Sequence, residues 1–217
     1  MNQSDPFFAE RRRMVEEQLA RRDIRDPRVL EAMLNVPRHE FVPQAHRQLA
    51  YVDGPLPIGD EQTISQPYIV AVMTQMLELD PEDRVLEVGT GSGYQAAILG
   101  YLAREVHSVE RYARLAKSAA ENLERLGIEN VTVHVGDGTR GLPEFAPYEA
   151  IVVAAAAPRV PTPLLDQLAD GGRLVLPVGP RGGQNLERWI RRGERFSQEV
   201  GLPVAFVPLV GEFGWQL

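Results

Sequence analysis

Cysteine is absent from this 217-residue chain. Its absence excludes disulfides, thiol nucleophiles and cysteine-bound metal sites. Lysine is nearly absent: Lys117 is the one lysine among 23 lysine and arginine residues, so Schiff-base chemistry would have to use it. No apolar run approaches the roughly 18–20 residues of a membrane span, and residues 1–13 lack the apolar core of a secretion signal. We therefore expect a cytoplasmic protein that does not bind membranes.

Positive charge is scarce as well. The chain carries 30 acidic residues against its 23 basic ones, for a formal net charge of −7. This balance argues against nonspecific binding of nucleic acid, which needs a basic surface, although it leaves a local basic patch open. The four histidines are scattered without the spacing of metal ligands: His39, His46, His107 and His134. We expect no nucleic-acid partner and no metal ion, and we expect the protein to act as a monomer.

A glycine-dense turn is the most informative feature that is present. The apolar residues 84–88 are typical of a buried strand, and residues 92–103 have a helical pattern. Between them lie Gly89, Gly91 and Gly93. Glycine is needed in such a turn because the backbone takes positive φ values and a ligand approaches closely. A strand, a glycine turn and a helix together predict the entry to a nucleotide-type cofactor site.

Around this turn, strands and helices alternate in a way that predicts an α/β fold. Such alternation is typical of a doubly wound, mostly parallel sheet covered on both faces. We predict seven strands, at 84–88, 105–109, 131–135, 149–154, 172–178, 185–191 and 203–210. We predict helices at 92–103, 111–126 and 161–170, with Gly127 just past the end of the second. The last two strands have no helix between them, which predicts a reversed C-terminal edge strand.

The first 80 residues have a different pattern from the rest. We predict amphipathic helices over 7–22 and 26–34, the second with Asp26 as its N-cap and Pro27 in its first turn. Residues 41–63 are rich in proline and glycine and predict an ordered loop. Ser65 is a candidate cap for a helix with Pro67 in its first turn. We expect residues 1–80 to form a helical subdomain that covers the site, and residues 81–217 to form the cofactor-binding core of one compact unit.

The spacing of the glycines narrows the choice of cofactor. Gly89, Gly91 and Gly93 do not have the Gly-x-Gly-x-x-Gly spacing of a dinucleotide site, and no Gly-Lys-Ser/Thr ending of a P-loop follows. Acidic residues stand instead at the ends of three successive strands: Glu87, Glu110 and Asp137. Carboxylates there suit a cation, ribose hydroxyls and an adenine amino group, and repel phosphate. These groups together favour S-adenosylmethionine, with S-adenosylhomocysteine as its product.

Several segments give the chain a more specific likeness. They are residues 59–67, with Gln-Thr-Ile-Ser-Gln-Pro at 62–67, and residues 85–97, 136–138, 147–158 and 171–179. Over almost its whole length the chain resembles the protein-L-isoaspartate O-methyltransferase family of class I S-adenosylmethionine-dependent methyltransferases. The segment at 62–67 is the specific part, since the others are shared more widely. The resemblance implies methylation of the α-carboxylate of L-isoaspartyl residues in damaged proteins, which promotes succinimide formation and the return to normal aspartate.

The resemblance also implies roles for individual residues. Ser65 is then the active-site residue, and residues 62–65 form a loop that closes over cofactor and substrate. The implied cofactor-binding residues are Gln62, Thr63, Ile64, Ser65, Glu87, Gly89, Gly91, Ser92, Glu110, Arg111, Asp137 and Gly138. Since a carboxylate substrate is already ionised at neutral pH and no histidine pairs recognisably with Ser65, we expect Ser65 to position the substrate by a hydrogen bond.

Substrate contacts and alternative functions stay open at this point. Segments 155–160 and 207–211 are candidates for main-chain contacts with a peptide. The chain departs from some family members at Val70, where they carry histidine, and at Val210, where they carry threonine. Trp215 is a candidate either for covering the site or for packing on the core. The alternatives are a methyltransferase for another substrate class, a non-catalytic cofactor-binding protein, and a nicotinamide-dependent oxidoreductase, which the glycine spacing disfavours.

Overall fold

The computed structural model describes residues 5–216, which form one seven-stranded sheet with helices on both faces and a separate two-stranded hairpin. The hairpin strands are β1 (Leu56–Gly59) and β2 (Gln62–Ile64). The sheet strands are β3 (Arg84–Val88), β4 (Glu105–Glu110), β5 (Val131–Val135), β6 (Tyr148–Val153), β7 (Leu168–Val178), β8 (Gln184–Arg192) and β9 (Arg195–Val204). The helices are α1 (Phe8–Arg13), α2 (Pro27–Asn35), α3 (Pro67–Leu77), α4 (Tyr94–Leu102), α5 (Ala113–Arg125) and α6 (Thr162–Asp166).

Five neighbouring strands of the sheet, from the edge strand β5 to β7, are parallel. The strand order is β5-β4-β3-β6-β7-β8-β9, and β3 pairs in parallel with β4 on one side and β6 on the other. From β3 the chain adds β4 and β5 on one side, and then crosses to add β6 and β7 on the other side. A crevice opens at the carboxyl ends of β3 and β6, where the strand order changes direction. The doubly wound, mostly parallel sheet predicted from the alternating pattern is therefore confirmed.

The C-terminal edge of the sheet is antiparallel, but two predicted boundaries there are wrong. Strand β8 pairs antiparallel with β7, and β9 pairs antiparallel with β8. The last strand occupies Arg195–Val204 and not 203–210, because β8 turns directly into β9 at Gly193, whose φ is 60°. The helix predicted at 161–170 ends at Asp166, and β7 already begins at Leu168.

The N-terminal helices agree with their predicted positions, with an irregularity in the first. Helix α1 continues as a π-helix over Met14–Ala20, and its apolar side is buried. Helix α2 begins at Pro27, and the Asp26 carboxylate caps it by accepting a hydrogen bond from the Arg28 nitrogen. Residues 1–4 and 217 lie outside the described part of the chain, so the expected absence of a secretion signal at residues 1–13 stays a prediction.

Two local predictions in the N-terminal region are wrong. The loop expected over 41–63 contains short 3-10 helices and the β1–β2 hairpin. The N-cap of α3 is Gln66, not Ser65, and the first turn has no side-chain cap. Pro67 at the first helical position makes a cap less necessary, because it has no N–H to satisfy. The Ser65 side chain is therefore not used in starting the helix.

The core lies on both faces of the sheet, as the alternation of strand side chains requires. On one face, Val85 and Val106 pack with α3, α4 and the N-terminal helices, in one cluster. On the other face, Leu86 and Val109 pack with Leu164 of α6. Because the N-terminal helices share a core with the sheet, they are fixed against it. Within residues 5–216, no helix is long and apolar enough to cross a membrane.

Candidate functional site

The glycine turn between β3 and α4 has the backbone that the sequence predicts. Gly89, Gly91 and Gly93 all have positive φ, at 94°, 55° and 89°. A Cβ atom on Gly93 would lie 3.2 Å from the Cβ of Ala119, so this glycine also lets α4 approach α5. The turn therefore needs glycine both for its conformation and for close packing. Ser92, between them, is almost fully buried.

Glu110 connects the glycine turn to the end of β4. One oxygen of its carboxylate accepts a hydrogen bond from the Gly91 nitrogen at 2.8 Å, and the other accepts from the Tyr112 nitrogen at 2.9 Å. The side chain is only 6% exposed. Each carboxylate oxygen has lone pairs to spare after these bonds, so Glu110 can still accept hydrogen bonds from ligand hydroxyls.

Asp137, at the end of β5, is engaged mainly with protein groups. It accepts hydrogen bonds from the nitrogen and hydroxyl of Thr139 and from the Glu212 nitrogen. Burial alone would raise the pKa of this carboxyl, but these hydrogen bonds outweigh burial and lower its pKa. Next to it, Gly138 is buried, and a Cβ there would lie 2.5 Å from the Cγ1 of Val88. Asp137 therefore ties the C-terminal segment to the sheet, while Gly138 leaves room beside β3.

A cavity of about 250 Å³ opens over the glycine turn. All the predicted site residues except Glu87 and Asp137 line it: Gln62, Thr63, Ile64, Ser65, Gly89, Gly91, Ser92, Glu110, Arg111 and Gly138. The hairpin side of the wall comes from β2, and the opposite side from the ends of β3 and β4. The structure thus brings together residues that are as many as 76 positions apart in the sequence, as Gln62 and Gly138 are.

Ser65 lies where this cavity meets a second one. The second cavity is lined by Pro55, Gln66, Ile69 and residues 203–206, and it shares Thr63, Ser65, Ala154 and Val207 with the first. Ser65 is partly exposed, and its hydroxyl makes no hydrogen bond to any residue of the described range 5–216. It is therefore free to donate one to a molecule at the junction of the two cavities.

Glu87 is placed differently from the other predicted residues. Its side chain is completely buried and does not line the cavity. The Ser108 hydroxyl donates to one of its oxygens, while the other oxygen has no partner among the described residues. Burial raises the pKa of Glu87 to about 8. At neutral pH this residue is therefore largely protonated, and it lies beneath the turn instead of facing a cationic ligand.

The chain after β9 closes one side of the site. Ala156 makes two backbone hydrogen bonds with this segment, both 2.8 Å long. Its nitrogen donates to the Val207 carbonyl, and its carbonyl accepts from the Leu209 nitrogen. The Trp215 indole nitrogen donates to the same Ala156 carbonyl at 3.1 Å. Trp215 therefore anchors the segment and lines neither cavity. Because Ala156 is already paired, a substrate strand cannot add to its backbone.

Residues that were not among the predicted site residues also line the first cavity. Val88 ends β3, Val109 is the second-last residue of β4, and the other lining residues of this kind include Tyr94, Gln95 and Tyr112. Strand-end position was the available signal, since residues at the carboxyl ends of parallel strands meet at one edge of the sheet. Val70 and Val210, the two departures from the family pattern, line the same cavity and give it an apolar surface at those points.

The site has a buried acidic acceptor beside a glycine turn, and among residues 5–216 no group of three or more histidine, cysteine or acidic side chains could hold a metal ion. The cavity has no lysine and a single arginine, Arg111, which suits a cofactor without phosphate. The strand order, the reversed strand β8 and the acidic acceptor beside the glycine turn are those of a class I S-adenosylmethionine-dependent methyltransferase.

Comparison with known proteins gives the family. The family model described as "Protein-L-isoaspartate(D-aspartate) O-methyltransferase (PCMT)" matches residues 9–214. The chain therefore belongs to the protein-L-isoaspartate(D-aspartate) O-methyltransferase family, and the predicted resemblance is confirmed. It is 57% identical to the protein-L-isoaspartate O-methyltransferase of Methanoculleus marisnigri, over 99% of this chain and 97% of that protein. It is 54% identical to that of Roseiflexus sp., over 96% and 95%.

Solved structures agree with this assignment. A protein-L-isoaspartate O-methyltransferase superposes with a TM-score of 0.86 at 32% identity, covering 94% of this chain and 67% of that chain. A putative protein-L-isoaspartate O-methyltransferase from Plasmodium falciparum, solved in complex with S-adenosyl-L-homocysteine, superposes with a TM-score of 0.80 at 27% identity, over 92% and 98%. The fold therefore extends over nearly the whole chain in both comparisons.

Proposed function

We propose that the protein transfers a methyl group from S-adenosylmethionine to the α-carboxylate of L-isoaspartyl residues in damaged proteins. Attack of the following backbone nitrogen on the ester forms a succinimide and releases methanol. Hydrolysis of the succinimide gives normal aspartate together with isoaspartate, which can be methylated again. The observation that carries this proposal is the position of Ser65 and Ala154 in the walls of both cavities. A donor in the first cavity and a carboxylate in the second would meet beside the Ser65 hydroxyl.

The residues of the first cavity fit the cofactor by their chemistry. Glu110 suits the ribose hydroxyls because its buried carboxylate retains acceptor capacity. Gly89, Gly91, Ser92 and Gly138 offer close backbone approach, and Arg111 lies beside them. From the hairpin side, Gln62, Thr63, Ile64 and Ser65 would cover the bound molecule. Asp137 would accept a hydrogen bond from the adenine end through its remaining lone pairs. Glu87 would not touch the cofactor and would contribute only by supporting the glycine turn.

The main task of the protein in this reaction is to align the methyl donor and the acceptor carboxylate. S-adenosylmethionine, when bound, supplies a methyl group that is electrophilic because it is attached to a sulfonium. The acceptor carboxylate is ionised at neutral pH, so no general base is needed. Ser65 donates a hydrogen bond that holds this carboxylate in line, and the apolar walls formed by Ile64 and Val207 exclude water from it.

Recognition of the substrate would use backbone contacts, since damaged residues occur in many sequences. We propose that the peptide enters along residues 203–207, which line the second cavity, as an extended chain. The two segments predicted from sequence, 155–160 and 207–211, already use part of their backbone in pairing with each other. An extended peptide held mainly by its main chain tolerates different flanking side chains.

The N-terminal region has a supporting role in this proposal. We propose that residues 1–80 form a subdomain that covers the site and residues 81–217 the core, because the hairpin and α3 lie on the cavity side of the sheet. We further propose that the protein acts as a monomer in the cytoplasm, without nucleic-acid or membrane partners, in line with its net charge of −7.

A repair assay tests the proposed function. An isoaspartyl peptide is incubated with the protein and S-adenosylmethionine, and its isomers are separated by reversed-phase chromatography. We expect the aspartyl isomer to accumulate only when the cofactor is present, and more slowly with Ser65→Ala. An unchanged peptide mixture, with the wild-type protein and intact cofactor, would contradict the proposal.

A further inference from the structure

The β1–β2 hairpin contributes residues 61–64 to the lining of the first cavity, but its own strand pairing is short. It is a two-stranded sheet with three paired positions and no strand partner in the main sheet. Its turn residues Asp60 and Glu61 both have left-handed backbones, with φ of 48° and 57°. An isolated two-stranded hairpin is marginally stable in water. Its position over the cavity must therefore depend on contacts outside the hairpin.

One such contact is an ion pair between the hairpin turn and α5. The Oδ2 atom of Asp60 lies 2.9 Å from Nη2 and 3.1 Å from Nε of Arg114. The turn fits closely against the guanidinium, since a Cβ on Gly59 would collide with Nη2. Ile58, on the first strand, lies 3.3 Å from where a Cβ of Gly91 would stand. The hairpin therefore contacts both the glycine turn and α5.

We propose that Asp60 and Arg114 are positioning residues that hold the hairpin closed over the cofactor and set the rate at which the cofactor product leaves. This inference rests on the proposed function, because it takes the first cavity as the cofactor site. Residues 62–64 of the hairpin and the glycine turn both line the first cavity, so a molecule bound there contacts the hairpin. Release of the product would then involve a movement of the hairpin that separates Asp60 from Arg114.

The Asp60–Arg114 ion pair is weak enough for the hairpin to open in every turnover. The Asp60 and Arg114 side chains are 29% and 66% exposed. Ion pairs of such exposure are weak and salt-sensitive, so loss of this pair should speed opening by a factor of about two to five. A buried pair would hold the cofactor product more firmly and slow each turnover. High salt should raise the product dissociation rate of the wild-type protein towards that of variants without the pair, because salt screens an exposed ion pair.

The test is the dissociation rate of S-adenosylhomocysteine from the full-length protein. Protein loaded with radiolabelled S-adenosylhomocysteine is chased with excess unlabelled compound. Asp60→Asn keeps a residue that tolerates the left-handed turn, and Arg114→Gln removes the other charge. Glu121→Gln is the matched control, because it removes the exposed pair with Lys117 on the same helix. Arg114→Lys keeps the charge and should partly restore slow release.

We expect Asp60→Asn and Arg114→Gln each to raise the dissociation rate about two- to fivefold, with no further increase in the double variant, because both break one pair. Glu121→Gln should leave the rate unchanged. Wild-type rates in both charge variants, or additive effects in the double variant, would overturn the inference while leaving the proposed function intact. If the wild-type protein bound no S-adenosylhomocysteine, the proposed function would fail, and this inference with it.

Discussion

The Glu110 carboxylate holds the Gly91 nitrogen at 2.8 Å, so an acidic residue at the end of β4 fixes the glycine turn that follows β3. The bond is charge-assisted and lies in a nearly buried site, where such bonds are strong. Glu110 thus has two tasks, since it shapes the turn and also faces the cavity. If the cavity binds the cofactor as proposed, its shape and its affinity for the cofactor are coupled through this one side chain.

Replacing Glu110 should weaken cofactor binding strongly. Glu110→Ala removes the acceptor for ligand hydroxyls and leaves the Gly91 nitrogen without its partner, so we expect the affinity for S-adenosylhomocysteine to fall about 10- to 100-fold. Isothermal titration calorimetry measures this directly. Glu124→Ala, at an exposed position of α5, is the control and should bind normally. Equal affinities in the two variants would exclude Glu110 from the cofactor site.

Ser65 should affect turnover more than cofactor binding. Ser65→Ala removes the hydroxyl at the junction of the cavities, so the acceptor carboxylate is less well aligned and kcat should fall about 10- to 100-fold. Ser65→Thr keeps a hydroxyl and should retain more activity. Steady-state kinetics with an isoaspartyl peptide, together with calorimetry, separate the two effects. Lost cofactor affinity with an unchanged kcat would show that Ser65 serves the cofactor instead.

Glu87 predicts a specific pH dependence of stability. Burial raises its pKa from 4.5 to about 8, so between these pH values the folded protein holds a proton that the unfolded chain releases. The contribution of Glu87 to the free energy of unfolding therefore falls as pH rises from about 4.5 to 8, by linkage. Glu87→Gln cannot ionise and should lose less stability than the wild type between about pH 4.5 and pH 8.

Denaturant unfolding at several pH values tests this expectation. The quantity to compare is the difference in the free energy of unfolding between Glu87→Gln and the wild type, because other titrating groups cancel in that difference. We expect this difference to move in favour of the variant as pH rises. A difference that stays constant from about pH 4.5 to pH 8 would show that folding does not raise the pKa of Glu87.

Gly138 should be intolerant of a side chain. Its Cβ would lie 2.5 Å from Val88 and 3.2 Å from Val109, so Gly138→Ala forces the strand ends beside the cavity to shift. We expect a loss of about 1–3 kcal/mol in the free energy of unfolding, as for overpacked cores, together with weaker binding of S-adenosylhomocysteine. Gly183→Ala is the control, since nothing lies within 4 Å of that Cβ. Similar stability of the two variants would contradict the close packing described.

The fold was predictable wherever burial leaves a clear pattern. Strand β3 has the predicted bounds because it is buried on both faces and its sequence is largely apolar. Strand β9 was misplaced for the opposite reason. It is an exposed edge strand with polar residues, whereas the apolar run after it lines the cavities and anchors the C-terminal segment. Leu164, Leu165 and Leu168 have helical spacing, yet the last of these already belongs to β7.

Most of the cavity lining was predictable from strand ends and the Gln-Thr-Ile-Ser-Gln-Pro segment, but the depth of Glu87 was not. In the sequence Glu87 is separated from the glycine turn only by Val88. The fold is needed to see that the Glu87 side chain is fully buried beneath the turn. The loop predicted over 41–63 hid the β1–β2 hairpin, because Asp60 and Glu61 are not the glycine-containing pair that usually marks such a turn. The contact of Asp60 with Arg114 joins residues far apart in sequence, which no local pattern indicates.

The most direct test of the account is methyl transfer in a mixture of two peptides that differ only in the linkage of one residue. The protein is incubated with radiolabelled S-adenosylmethionine, an isoaspartyl peptide and its normal aspartyl isomer at equal concentrations. We predict label on the isoaspartyl peptide alone, as a base-labile methyl ester. Equal labelling of both peptides, or label on neither, would contradict the central claim.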